Sequence, residues 1–221
     1  MATYLITGAS RGIGYEYCRQ LQARGEAVIA VCRTASQELQ QLGVQVEDGI
    51  DITSNDSITN LRNRLGDTAI DVLVNNAGIL KRVTLEDLDF DSIREQFEVN
   101  ALGALRVTHT LLPNLRTGSK IVLMTSRMGS IGDNTSGSSY GYRMSKVALS
   151  MAGKSLAHDL KPRGITVAIL HPGLVQTRMT NFTKGGITPE ESVQGLLARI
   201  DELTLENTGT FWHANGAVLP W

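Results

Sequence analysis

Short apolar runs alternate with longer amphipathic stretches along most of the chain. The runs are rich in Val, Ile and Leu and lie at Tyr4–Thr7, Ala27–Cys32, Val44–Glu47, Val72–Val74, Ile121–Thr125 and Thr166–Leu170. Because they show no regular polar alternation, they are typical of strands that are buried on both faces of a parallel sheet. The stretches between them have helical periodicity over residues 12–24, 54–65, 91–115, 141–161 and 189–203.

The order of these elements predicts the fold. Alternating strands and helices indicate an α/β fold, a Rossmann-type doubly wound parallel sheet of about seven strands with helices on both faces. The length of 221 residues fits one such domain, and we assign residues 1–221 to it. The last helix has a local start signal, because Thr188, Pro189 and Glu191 form the pattern of an N-cap, a first-turn proline and a capping box.

Composition narrows the range of functions. A formal net charge of −1 argues against nucleic acid or a membrane surface as a partner, since either would favour a basic excess. No apolar run approaches the roughly 20 residues of a membrane span. Cys18 and Cys32 fit no metal-ligand pattern, so we interpret them as buried thiols, with a single disulfide as the alternative. We therefore expect a cytoplasmic protein without a metal site.

A glycine-rich turn lies at the first strand–helix junction. It reads Thr7-Gly8-Ala9-Ser10-Arg11-Gly12-Ile13-Gly14. Glycines there allow a tight turn and let a pyrophosphate approach the N–H groups at the helix N-terminus, where the helix dipole favours an anion. The spacing differs from the commoner G-x-G-x-x-G, so a purely structural turn stays an alternative. Its position favours a dinucleotide site formed by Gly8, Ser10, Arg11, Gly12, Ile13 and Gly14.

The end of the second strand bears on cofactor choice. NAD-binding folds place an Asp or Glu there to hold the ribose 2′-hydroxyl. This chain has Arg33 and Thr34 instead, with no acid. Arg33 and Arg11 would suit a 2′-phosphate, because a guanidinium forms paired hydrogen bonds with phosphate. The sequence therefore favours NADP(H) over NAD(H), although two ordinary surface arginines would give the same pattern.

A tyrosine and a lysine are four residues apart near the start of the long helix at 141–161. Tyr142 and Lys146 should therefore lie on one helix face, one turn apart. A nearby ammonium is expected to lower the tyrosine pKa toward the working range of a general acid. The pattern is common by chance, and Tyr140 lacks a lysine at the same spacing. We predict Tyr142 as a proton donor because the glycine turn accompanies it.

Taken together, these motifs resemble those of the short-chain dehydrogenase/reductases, most closely the C-factor and sniffer-type carbonyl reductase branch. The resemblance covers nearly the whole chain and follows the family's order. It rests on Thr7–Gly14, Asn75-Asn76-Ala77-Gly78, Asn100, Thr125-Ser126-Arg127-Met128-Gly129, Tyr142-x-x-x-Lys146 and Pro172-Gly173-Leu174-Val175-Gln176-Thr177.

The resemblance implies a role for each matching residue. Tyr142 would protonate the carbonyl oxygen, Lys146 would lower the tyrosine pKa and bind the nicotinamide ribose, and Ser126 would polarise the carbonyl. Asn100 would hold a water that relays protons from Lys146. Besides the glycine turn, Arg33 and Thr34, the cofactor contacts would be Asp51 and Ile52 at the adenine, Asn76, Ala77 and Gly78 at the ribose, and Pro172, Gly173, Val175 and Thr177 at the nicotinamide and phosphates.

The chain departs from the family pattern in the length of one loop. Residues 129–139 make the gap between Ser126 and Tyr142 longer than usual, so Ser138 and Ser139 are alternatives to Ser126. Relatives pair through the helices that correspond to 91–115 and 141–161, which implies a homodimer or homotetramer. Small residues on the second helix, Ala148, Ser150, Ala152, Gly153 and Ala157, are expected to allow close packing between copies.

Three functions fit this reading. The first is NADPH-dependent reduction of an aldehyde or ketone by hydride transfer. The second is a nucleotide-binding signalling or regulatory protein with little turnover. The third is oxidation of an alcohol with NADP⁺ by the same site. The substrate would be a small carbonyl compound, and the sequence does not identify it.

Overall fold

A seven-stranded, fully parallel sheet forms the centre of the computed structural model, which describes residues 1–221. Its strands are β1 (Thr3–Thr7), β2 (Ala27–Val31), β3 (Gln45–Glu47), β4 (Ile70–Asn75), β5 (Leu115–Met124), β6 (Thr166–His171) and β7 (Phe211–His213). They are arranged in the order β3-β2-β1-β4-β5-β6-β7, and every neighbouring pair is parallel. The strand order reverses between β1 and β4, where an open α/β sheet leaves a crevice for a ligand. The predicted Rossmann-type doubly wound fold is confirmed.

Helices cover both faces of the sheet. They are α1 (Gly12–Ala23), α2 (Gln37–Gln41), α3 (Asn55–Leu65), α4 (Phe90–Phe97), α5 (Ala104–Leu111), α6 (Tyr140–Leu160) and α7 (Pro189–Asp201). Helices α1 and α7 pack together on one face, and α3, α5 and α6 form a second layer. The two largest buried apolar clusters follow this division, one holding residues of α1 and α7 and the other residues of α3, α5 and α6. Cys18 and Cys32 are buried and free, which confirms the thiol interpretation.

The prediction of one continuous helix over residues 91–115 is wrong. A π-helical segment, Glu98–Gly103, separates α4 from α5, and a 3₁₀ turn with Pro113 ends the stretch at Asn114. The wider π turn coincides with tight packing, because a Cβ on Gly103 would lie 2.7 Å from Ile52 Cδ1. Such single π turns are often found at functional sites, and here the segment contains Asn100, which is fully buried.

The small residues of α6 pack differently from the expectation. Ser150, Gly153 and Ala157 are buried within the chain, and a Cβ on Gly153 would lie 2.8 Å from side chains of both Ile169 and Leu123. These residues therefore bring α6 close to its own sheet, and they are not available to a second copy. None of the helices combines the length and the apolar character needed to cross a bilayer.

Candidate active site

The glycine turn after β1 has a shape that larger residues would not allow. Gly8 and Gly12 have φ values of +67° and +55°, a region that favours glycine. A Cβ on Gly14 would lie 2.2 Å from the carbonyl oxygen of Gly8, so only glycine fits where α1 meets the turn. Arg11 occupies the N-cap of α1 without a side-chain capping bond, and the first turn has no acidic residue. The first N–H groups of α1 are therefore left for an anion.

The segment after β4, residues 76–78, is hydrogen-bonded to the glycine turn. The Nδ2 of Asn76 donates to the carbonyl oxygens of Thr7 at 3.0 Å and Gly8 at 3.3 Å. The backbone N–H groups of Asn76 and Ala77 both donate to Thr7 Oγ1 at 3.1 Å. The glycine turn and residues 76–78 thus form one continuous surface at the strand-order reversal. This arrangement suits a nucleotide that lies across both segments.

A cavity of about 430 Å³ opens beside the turn. It is lined by Ser10, Arg11, Gly12, Tyr15, Thr34, Ala35, Ser36, Glu38 and Arg178. Arg11 and Thr34 therefore lie together, as the sequence predicts. Arg33 is exposed and does not line this cavity. A backbone hydrogen bond from Thr53 lowers the pKa of Asp51, and the positive charge of Arg33 lowers it further by a smaller amount.

Asp51 and Ile52 lie in the loop between β3 and α3. Asp51 Oδ1 accepts hydrogen bonds from the Thr53 N–H at 2.9 Å and hydroxyl at 2.8 Å. The carbonyl oxygen of Ile52 accepts from the Arg106 guanidinium at 2.9 Å, which fixes this loop to α5. These hydrogen bonds hold the loop in one conformation, and its contact with an adenine stays a prediction.

Ser126, Tyr142 and Lys146 come together at the carboxyl edge of the sheet. All three are buried, with 7%, 7% and 4% of their surface exposed. Burial raises the pKa of Tyr142, and the nearby Ser126 side chain opposes that rise in small part. The Lys146 Nζ lies 5.7 Å from the centre of the Tyr142 ring. Ser138, by contrast, is exposed, and Ser139 is half-buried at the N-cap of α6. Of the three serines, only Ser126 acts on the Tyr142 pKa.

Close packing between β5 and α6 explains this convergence. Ser126 follows β5 and caps a short 3₁₀ turn, its Oγ accepting from the Met128 N–H at 3.1 Å. The preceding Thr125 Oγ1 donates to the carbonyl oxygen of Lys146 at 3.1 Å. A Cβ on Gly129 would lie 2.9 Å from the Lys146 backbone. The turn that carries Ser126 therefore lies directly against the helix that carries Tyr142 and Lys146.

Burial shifts both titratable groups toward their neutral forms. It raises the pKa of Tyr142 to about 12, against a smaller lowering by the Ser126 hydrogen bond. It lowers the pKa of Lys146 to about 8. The expectation that the ammonium brings the tyrosine pKa down is therefore wrong, because removal of both groups from water dominates. Tyr142 is protonated at neutral pH, which is the form that gives up a proton.

Lys146 and Asn100 are held by bonds to the backbone. The Lys146 Nζ donates to the carbonyl oxygen of Met124 at 2.8 Å. Asn100 Oδ1 accepts from the Ile79 N–H at 2.8 Å, and its Nδ2 donates to the Ile79 carbonyl at 2.9 Å and to Ser145 Oγ at 3.0 Å. A Cβ on Gly78 would lie 3.1 Å from Asn100 Oδ1 and 3.5 Å from Lys146 Nζ. Asn100 thus fixes the backbone of residues 78–79 beside the lysine.

The segment after β6 closes the site from the other side. Gly173 has a φ of +87°, and the Pro172 carbonyl oxygen accepts from Ser192 Oγ at 2.7 Å. Val175 is buried and forms an isolated bridge with Ile187. Thr177 reaches the glycine turn, because its Cγ2 lies 3.5 Å from where a Gly12 Cβ would be. Residues 172–177 therefore run from the end of β6 to the glycine turn.

Two features of the site were not predicted from the sequence. Arg178 lines the cavity beside Arg11, although 167 positions separate them in the chain. The rings of His171 and His213 meet edge to face with 4.9 Å between their centres, beside the end of β6. Burial lowers the pKa of His171 to about 3, so it is neutral at physiological pH. No local pattern marks either feature, because each depends on contacts between distant segments.

The fold and this site define a dinucleotide-binding oxidoreductase with a Ser–Tyr–Lys centre. The short chain dehydrogenase family profile matches residues 2–186, and the chain belongs to that family. It is 43% identical over its full length to 1-hydroxy-2-glutathionyl-2-methyl-3-butene dehydrogenase of Rhodococcus sp. (strain AD45), which it also covers completely. It is 44% identical to C-signal of Myxococcus xanthus over 155 residues, which are 69% of this chain and 93% of that protein.

Solved structures give the same result. The NADPH-bound carbonyl reductase from chicken fatty liver superposes with a TM-score of 0.91 and 28% identity, over 100% of this chain and 99% of that one. Carbonyl reductase Sniffer of D. melanogaster superposes with a TM-score of 0.91 and 28% identity, over 100% of both chains. The predicted resemblance to the C-factor and sniffer-type branch is confirmed by these relatives.

Proposed function

We propose that residues 1–221 form a single-domain NADP(H)-dependent oxidoreductase that reduces an aldehyde or ketone to an alcohol, with Tyr142 as the general acid. The observation that carries this proposal is the buried Tyr142 at the carboxyl edge of the sheet, with the Lys146 Nζ 5.7 Å from its ring centre and Ser126 close enough to act on its pKa. A neutral phenol in such a place is suited to donating a proton to a developing alkoxide.

Each residue of the centre would then have a separate task. When bound, the nicotinamide supplies the hydride to the carbonyl carbon. The Tyr142 hydroxyl gives its proton to the carbonyl oxygen, and the Ser126 hydroxyl hydrogen-bonds the same oxygen and stabilises its developing charge. Lys146 keeps two donor protons beyond its bond to Met124, and its Nζ lies 5.7 Å from the Tyr142 ring centre, so the lysine would bind the nicotinamide ribose beside the tyrosine. Asn100 holds the Ile79 backbone in register with the lysine, and its part in a proton relay stays a prediction.

The phosphate side of the crevice supports NADP(H) as the cofactor. The second strand ends without an acid that would hold a ribose 2′-hydroxyl, and Arg11 with Thr34 lines the cavity beside it. The carbonyl reductase from chicken fatty liver was solved with NADPH, which supports the same choice for this chain.

Alcohol oxidation is the second candidate. The dehydrogenase of Rhodococcus sp. acts, by its name, on a hydroxylated glutathionyl compound, and it shares 43% identity over the whole chain. Oxidation requires Tyr142 to accept a proton, so a pKa near 12 predicts that the rate of oxidation rises at high pH.

The C-signal relative favours a third candidate, a regulatory protein that binds nucleotide with little turnover.

Steady-state kinetics with matched variants tests the proposal. We would measure NADPH oxidation by the wild type and by Tyr142→Phe against aldehydes, ketones and diketones, with NADH in parallel and Tyr140→Phe as the control. The expected result is turnover that prefers NADPH, is retained by Tyr140→Phe and falls about 10²- to 10⁴-fold in Tyr142→Phe. Tight NADPH binding with no turnover that depends on Tyr142 would favour the regulatory candidate.

We also propose that the chain forms a homodimer or homotetramer and works in the cytoplasm. Exposed Leu102 and Leu105 on the α5 side and exposed Met144 and Met151 on α6 support an interface, because large apolar side chains otherwise face water. Light scattering at micromolar concentration is expected to show twice or four times the mass of 23.9 kDa. A monomer would contradict the assembly and leave the chemistry of the site unchanged.

A further inference from the structure

Two arginines from opposite ends of the chain face one cavity beside the glycine turn. Arg11 begins α1, and Arg178 begins the 3₁₀ turn Arg178–Thr180 that follows β6. Neither guanidinium forms an ion pair or a side-chain hydrogen bond within the chain, although ten other arginines do. The cavity is also lined by the hydroxyl-bearing residues Ser10, Thr34 and Ser36. Cationic and hydroxyl donors in this combination are the groups that bind a phosphate.

The turn that carries Arg178 is fixed against the cofactor side of the site. Thr177 contacts the position of a Gly12 Cβ at 3.5 Å. The Thr177 N–H donates to Thr180 Oγ1 at 3.1 Å, and the Phe182 N–H donates to the Thr177 carbonyl at 2.9 Å. These bonds hold the backbone at Arg178, so its side chain loses less freedom on binding than one on an open loop would.

One acidic group shares the cavity and must be included in the charge balance. Glu38 lines it as well, and its pKa is lowered by a hydrogen bond from its own backbone N–H and another from the Ser36 side chain. Two guanidinium charges against one carboxylate leave a net charge of +1 around the cavity. With Arg11 alone the balance would be zero, so the preference for a doubly charged phosphate depends on the second arginine.

We propose that Arg178 is a cofactor-specificity residue, which binds the adenosine 2′-phosphate of NADP(H) opposite Arg11. The inference rests on the proposed function, since it assumes a nicotinamide dinucleotide in the crevice. The location supports the 2′-phosphate over the pyrophosphate, because Thr34, Ala35, Ser36 and Glu38 all follow β2, where the adenosine ribose lies in this fold. Arg178 would add to the discrimination between NADP(H) and NAD(H) that Arg11 cannot supply alone.

Binding of cofactor fragments tests the proposal without relying on turnover. We would titrate the wild type, Arg178→Ala, Arg178→Lys and Glu38→Gln with adenosine 2′,5′-bisphosphate and with adenosine 5′-monophosphate by calorimetry. Arg116→Ala is the control, because this exposed arginine lies at the start of β5, at the opposite edge of the sheet. Arg178→Ala is expected to bind the bisphosphate about tenfold more weakly and the monophosphate unchanged. The bisphosphate affinity of Arg178→Lys should lie between those of the wild type and Arg178→Ala. Glu38→Gln should bind the bisphosphate more tightly than the wild type.

Other outcomes separate this inference from the proposed function. Equal weakening of both fragments in Arg178→Ala would place the arginine at the shared 5′-phosphate and overturn the specificity role. Unchanged binding of both would overturn it as well. If the wild type shows no preference for the bisphosphate over the monophosphate, the NADP(H) assignment itself fails. Steady-state KM values should follow the same pattern, with Arg178→Ala raising the KM for NADPH and leaving that for NADH unchanged.

Discussion

At the scale of single residues, burial acts in opposite directions on the two titratable groups of the site. It raises the pKa of Tyr142 to about 12 and lowers that of Lys146 to about 8. The spacing of Tyr142 and Lys146 was visible in the sequence, but their burial was not, because it comes from the packing of α6 against β5. The structure also brings Ser126 to the tyrosine, which sequence distance alone left open among three serines.

The choice among the serines leads to a prediction. Ser126→Ala removes the side chain that opposes the rise in the Tyr142 pKa, and with it the proposed donor to the substrate oxygen. Turnover is expected to fall about 10²-fold, by analogy with the loss of one donor to a developing oxyanion. Ser138→Ala is the matched control, because Ser138 is exposed. Equal activity of the two variants in steady-state reduction would contradict the assignment.

Burial of Lys146 lowers the free energy of unfolding by an amount that depends on pH. Its pKa is about 8 in the folded chain and about 10.5 when unfolded, so the unfolded chain binds more protons between these values. Stability linked to Lys146 is therefore lowest below pH 8 and rises with pH up to about 10.5. Lys146→Met should be inactive yet more stable than the wild type at pH 7, by about 1–3 kcal/mol.

Urea unfolding of the cofactor-free proteins at pH 7 and pH 10 measures this effect. The difference in unfolding free energy between Lys146→Met and the wild type should shrink by about 2 kcal/mol between the two pH values. Comparison with the variant removes the contributions of other titrating groups, which both proteins share. A difference that stays constant or grows with pH would show that folding does not lower the pKa of Lys146.

At the scale of elements, the hydrophobic periodicity of the sequence identified the long, regular helices and strands. Six strands and the helices α1, α3, α6 and α7 lie where the hydrophobic pattern indicated. The π-helical segment at Glu98–Gly103 was not visible, since an extra residue in one turn leaves the apolar spacing almost unchanged. The short elements β7 and α2 were also missed, because three to five residues are too few to establish a period.

The start of α7 was predicted from the sequence, and the structure contains the bonds that the pattern requires. Thr188 Oγ1 accepts from the Glu191 N–H at 3.1 Å, and Glu191 Oε2 accepts from the Thr188 N–H at 2.8 Å. Thr188→Ala should lower the free energy of unfolding by about 1 kcal/mol. Thr188→Ser keeps the acceptor and should stay close to the wild type in urea denaturation. A loss of the same size in both variants would indicate that the threonine methyl group, and not the cap, stabilises the helix.

At the scale of the whole molecule, strand order decides where chemistry takes place. Parallel strands present their carboxyl ends at one edge, so residues from β1, β4, β5 and β6 meet there although they are far apart in sequence. The sequence could place motifs after strands, and the fold then brought them together. It could not show that Arg178 faces Arg11, because that contact depends on the path of the segment after β6.

The most direct test of the account follows the hydride itself. NADPH deuterated at both C4 positions is incubated with an aldehyde or diketone and either wild-type protein or Tyr142→Phe, and the alcohol is analysed by mass spectrometry. The account predicts one deuterium on the carbinol carbon with the wild type and product at background level with the variant. Absence of deuterium transfer by the wild type to any compound of the panel, or transfer by Tyr142→Phe at the wild-type rate, would contradict it.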